Sequence, residues 1–112
     1  MSITKELRES GNGTADSTGR AVCRVQPMRY GEEWRITRMT VQSTSTTLVP
    51  IAKVYRGSEA ASNLIDGTWT GTQDTSDTSI RLMSGESLVC VFSGGDVGSQ
   101  CTFNVFGEVV VG

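Results

Sequence analysis

From Arg20 onward apolar side chains recur at every second position. Ala21, Cys23 and Val25 share one parity, Val22, Arg24 and Gln26 the other, and Pro27 ends the run. A period of two marks a strand with one face on a core, and proline has no N–H to continue a ladder. Tyr30-Gly31-Glu32-Glu33 reads as a turn. In the next strand, Trp34 to Ser43, Trp34 and Ile36 share one face while Met39 and Val41 fall on the other parity, which predicts a bulge near Thr37 or Arg38. Ser43 to Thr47 is read as a hairpin connection. Leu48 to Arg56 is a third strand, with Pro50 placing it at an edge or a bulge. Gly57 to Ala61 offers a Ser cap followed by helix formers, hence one helical turn.

Asn63 to Asp77 is polar and turn-rich, yet carries Leu64, Ile65 and Trp69. It is expected to be a long ordered loop of about fifteen residues. Thr78 to Leu82, Ser87 to Ser93 and Gln100 to Val111 complete the strands. A hairpin over Gly94-Gly95-Asp96-Val97-Gly98 would set Cys90 directly opposite Cys101. Both faces of that hairpin read as apolar, which calls for a central place in a sheet covered on both sides, or a place against another subunit.

Met1 to Gly19 differs, being charged at first and then rich in Gly, Asn, Thr and Ser. Residues 1–19 are expected to form an extended or loosely held arm, with one helical turn over Thr4 to Arg8, and residues 20–112 a single domain. Several short strands spaced by turns describe an all-β fold, an antiparallel β-sandwich of jelly-roll-like type with an extended N-terminal arm.

Composition sharpens this. Ser, Thr and Gly supply 40 of 112 residues, and the 12 valines outnumber leucine and alanine together, against a helical protein. Charge is nearly balanced at −2 with the basic residues scattered singly, so no stripe for nucleic acid is present. The N-terminal stretch alternates charge and has no apolar run, which predicts neither a leader nor a membrane span, and a chain made in the cytosol. There is no histidine, which removes the commonest general base and metal ligand. The three cysteines are an odd number without a Cys-x-x-Cys pair; they read as small core residues, with a Cys90–Cys101 disulfide as the alternative.

Asp66, Asp74 and Asp77 lie close in sequence and offer carboxylates for calcium, but lack the alternating spacing of an EF-hand loop; solvated turn caps are the better reading. Trp34 and Trp69 offer rings for a sugar or anchors for a core. Without a base for any serine, no enzyme and no cofactor is expected.

Gly31 to Val41, Val54-Tyr55-Arg56-Gly57, Leu64 to Thr68, Asp74-Thr75-Ser76-Asp77, Gly85-Glu86-Ser87-Leu88 and Gly94 to Gly98 together resemble small β-sandwich virion structural proteins of tailed actinobacteriophages. The resemblance spans Arg20 to Gly107 and consists of turns and core positions. It implies a non-enzymatic capsid decoration (accessory head) protein or a head fibre. The expected partners are the major capsid protein or other virion proteins, in a homotrimer. The arm's Ile3, Leu7 and Arg8, together with Trp69, are the expected partner contacts. The alternative is a minor tail or fibre protein binding a carbohydrate or receptor through the Trp69 loop.

Overall fold

The computed structural model describes residues 3–27 and 29–111, with only the backbone of residues 66–68. Among the described residues eight strands follow one another, β1 (Ile3–Thr14), β2 (Ala21–Val25), β3 (Glu32–Ser43), β4 (Ile51–Arg56), β5 (Leu64–Thr70), β6 (Gln73–Met83), β7 (Leu88–Ser93) and β8 (Gln100–Val111). They build two four-stranded sheets. The front sheet runs β1-β8-β3-β6 and the back sheet β2-β7-β4-β5, with every pairing antiparallel. Thus β1 pairs β8, β2 pairs β7, β3 pairs β6 and β4 pairs β5, a double ribbon rolled into a jelly roll. The sequence-based expectation of an antiparallel jelly-roll sandwich holds.

The core lies between the sheets because each strand turns one parity inward. Leu7, Trp34, Ile36, Met39, Val41, Ile80, Leu82, Phe103 and Val105 of the front sheet face Ala21, Val25, Ala52, Val54, Trp69, Leu88 and Phe92 of the back sheet, all buried. The parity switch in β3 is a bulge, since the register against both β8 and β6 shifts between Ile36 and Arg38. Thr37 and Arg38 therefore both point outward while Ile36 and Met39 both point in.

Several expectations are corrected. The segment read as a loose arm with a helical turn is instead β1, an edge strand paired with β8 from Ile3 to Thr14. Its Leu7 is 1% exposed, an anchor that a charged neighbourhood disguised. Gly11 and Gly13 let β1 run against β2: a Cβ at either would lie 2.4 Å from the Arg24 carbonyl or 2.6 Å from that of Val22.

The long loop of residues 63–77 is mostly β5 and the start of β6, separated by Gly71 and Thr72. Its threonines fit strands, and the inward positions of early β6 project past the core, so the apolar signal was missing there.

Residues 44–50 and 94–99 are not hairpin loops, because β3 and β4, like β7 and β8, belong to different sheets. The cysteine across from Cys90 is accordingly Cys23 on β2, while Cys101 approaches from the front sheet, its carbonyl accepting the Cys23 thiol at 3.5 Å. All three are buried free thiols. β7 is buried on both faces, but β8 turns the mostly polar set Gln100, Thr102, Asn104, Phe106 and Glu108 outward.

Finally, the helical turn after β4 is a 3₁₀ turn at Ala61–Asn63 without a side-chain cap. Pro50 stands just before β4, which is a central strand between β7 and β5.

Candidate functional site

Two surfaces carry chemistry. The first is the end of the sandwich where the β1–β2, β3–β4, β5–β6 and β7–β8 connections meet. Backbone hydrogen bonds knit these together: Ala15 N–H to the Ser99 carbonyl, Gly98 N–H to that of Ala15, Gly95 N–H to Gly19, Thr44 N–H to Gln100, and Gly71 N–H to Pro50. Asp96 is the hub. Its Oδ2 accepts the N–H groups of Thr46 and Thr47 at 2.8 and 2.9 Å, and its Oδ1 that of Leu48 at 2.9 Å. Its own N–H donates to Ser45 Oγ, which in turn donates to the Leu48 carbonyl at 2.6 Å. Three donated N–H groups favour the carboxylate and hold the Asp96 pKa down at about 2. Bound in this way, the loops present Leu48, Val49 and Val97, exposed by 54%, 62% and 68%.

The second surface is the outer face of the front sheet. The register sets its side chains in rows across β1, β8, β3 and β6: Glu6, Glu108, Arg35, Arg81; then Arg8, Phe106, Arg38, Asp77; then Ser10, Asn104, Thr40, Thr75; then Asn12, Thr102, Gln42, Gln73. The bulge brings Arg38 into the row of Phe106. Gly107 permits it, since a Cβ there would stand 1.9 Å from the Arg35 carbonyl oxygen.

Glu33, buried against this face, accepts Arg35 Nε at 2.7 Å and Arg81 Nη2 at 2.8 Å. The bond from Arg81 and then that from Arg35 lower the pKa of Glu33. Arg38 contacts Asp77 at 3.3 Å and Arg8 contacts Glu6 at 3.4 Å. Lower on the face, Asn104 Nδ2 donates to Thr40 Oγ1 at 3.0 Å and Thr102 Oγ1 to Asn12 Oδ1 at 3.1 Å. A hollow of about 540 Å³ opens beside Phe106 between Arg8, Arg38, Thr40 and Thr75.

The expected partner contacts divide. Ile3 is 56% exposed at the start of β1, and Arg8 lies on the front face. Leu7 and Trp69 are not available to a partner: Leu7 is in the core, and Trp69, opposite Ala52, is 9% exposed. Packing two sheets needs such anchors inside. Nor are the three aspartates brought to one point. Asp74 and Asp77 differ in parity along β6, with Asp77 held by Arg38, and the side chain of Asp66 lies outside the described residues. Among the described residues no cluster of metal-ligating side chains occurs. The sequence marks Arg38 only as a bulge position and does not single out Phe106 or the amide and hydroxyl rows. The signal was the even-numbered set from Gln100 to Glu108, polar against the apolar odd-numbered one.

No family model matches the chain, and no curated protein matches it. It is similar to the solved structure of a Yersinia pseudotuberculosis-derived mitogen at 13% identity and a TM-score of 0.45, over 93% of this chain and 86% of that one. A family 35 carbohydrate binding module from an environmental isolate gives 13% and 0.41, over 88% and 69%. A Bacillus endospore appendage of a disulfide-linked pilus family gives 10% and 0.44, over 95% and 89%. These are distant likenesses, and the topology above rests on the chain's own register.

Proposed function

We propose that the chain is a non-enzymatic structural module of a bacteriophage particle, a capsid decoration protein that docks on the assembled shell through the loop end. The observation that carries this reading is the rigid apolar tip, Leu48, Val49 and Val97, held out on loops that Asp96 and the inter-loop bonds fix. Exposed apolar groups on a preorganised support favour association, because little ordering entropy remains to be lost on docking. β1 is committed to the sheet, so docking does not need an arm that orders on assembly. The virion resemblance of residues 20–107 supplies the partner class, the major capsid protein or a neighbouring virion protein.

The test is incorporation of Leu48→Asp/Val97→Asp into particles. The double variant is expected to fold with an unchanged Tm, since both side chains are exposed, and to be lost from purified particles. Normal incorporation of the folded variant would overturn the reading.

A further inference from the structure

We infer that the outer face of the front sheet is a binding site for a neutral saccharide chain, running along the strands from the Phe106 row toward Gln42 and Gln73. Below the Phe106 row, this face carries only side chains that both donate and accept hydrogen bonds: Ser10, Asn104, Thr40 and Thr75, then Asn12, Thr102, Gln42 and Gln73. A sugar hydroxyl also donates and accepts, so amide and hydroxyl rows match a polyol better than they match an apolar or purely anionic partner.

Phe106 supplies the apolar contact. It is half-buried and lines the hollow together with Thr40 and Thr75, so a pyranose ring can rest against it while its hydroxyls reach those threonines.

Charge selects a neutral ligand. Arg8, Arg35, Arg38 and Arg81 on or beside this face are matched by Glu6, Glu33, Glu108 and Asp77, and each arginine contacts one of these carboxylates. No net positive field is left to draw a polyanion. The rows also fix the ligand's course: each lies two residues, about 6.8 Å, beyond the last along the strands, so a chain leaving Phe106 meets the Thr40 and Thr75 row and then the Gln42 and Gln73 row.

The loop end and the front face share none of these residues, so this inference stands apart from shell docking. It is tested on the full chain with neutral hexasaccharides of glucose, galactose and mannose, followed by amide NMR shifts. A single-stranded DNA 12-mer serves as the polyanion.

At least one hexasaccharide is expected to shift Ser10, Thr40, Thr75 and Asn104 selectively, with Phe106→Ala weakening that binding about tenfold. Leu48→Asp/Val97→Asp should bind the sugar unchanged, which separates failure here from failure of shell docking. The inference is overturned if no hexasaccharide shifts this face, if Phe106→Ala binds as the parent does, or if the DNA binds more tightly than every sugar.

Discussion

At Asp96 one carboxylate replaces the backbone partners that Thr46, Thr47 and Leu48 lose where β3 ends. An N–H group that loses its acceptor must find another, so a single side chain can decide whether a seven-residue connection has one shape or many. Asp96→Ala is expected to lower Tm by several degrees and to broaden the amide resonances of residues 45–49, with Asp96→Asn intermediate. The pH dependence has a definite sign. Because the folded-state pKa is depressed, the carboxylate's contribution is complete above its ordinary value of 3.8 and fades as pH falls toward about 2. Wild type and Asp96→Ala should therefore converge in Tm over that acid window; a gap that persists to pH 2 would contradict the assignment. Asp96 was visible in the sequence only as a turn residue. Its reach to Thr46 spans 50 positions, and no local pattern encodes such a contact.

Among the elements, β1 and β6 form the two edges of the front sheet and are protected differently. β1 lies against β2 through Gly11 and Gly13. β6 is capped by side chains instead: Asp74 accepts the Thr75 N–H at 2.7 Å, Arg56 donates to the Arg81 carbonyl at 3.1 Å, and Glu86 accepts the Met83 N–H at 2.7 Å. Such capping blunts an edge that would otherwise recruit another strand. If β1 is integral, Leu7→Ala should cost about 2–5 kcal/mol in chemical denaturation, the range for truncating a buried leucine; a cost near zero would restore the loose arm.

The strands were legible where inward positions are apolar, as in β2, β3, β7 and β8. They were not where the inward positions are Gly11 or Ser76. The bulge at Thr37 was legible because Trp34 and Ile36 disagree in parity with Met39 and Val41. Which strands pair across the sandwich was not, because a turn of given length serves a hairpin and a sheet crossing alike.

Across the whole molecule, the two sheets enclose three thiols that no oxidant or metal reaches without parting them. Burial, reinforced by the neighbouring Cys101, pushes Cys23 up from 9.0 to about 12, and burial raises Cys90 as well. A thiol-specific chromogenic reagent at pH 8 should label the native chain negligibly and all three cysteines in denaturant. Rapid native labelling would show that the sandwich opens readily. Here the folded pKa is raised, so the contribution to stability is full below pH 9 and lost as pH climbs toward 12.

The pairing of Ile3 with Val111 and of Thr14 with Gln100 has a further consequence for biosynthesis. On the ribosome, the twelve residues of β1 emerge well before β8, the strand they pair with. Leu7 stays in water until residues 100–111 clear the exit tunnel, so this half of the molecule closes only once β8 has emerged, and a product that stops short at β7 cannot assemble the front sheet.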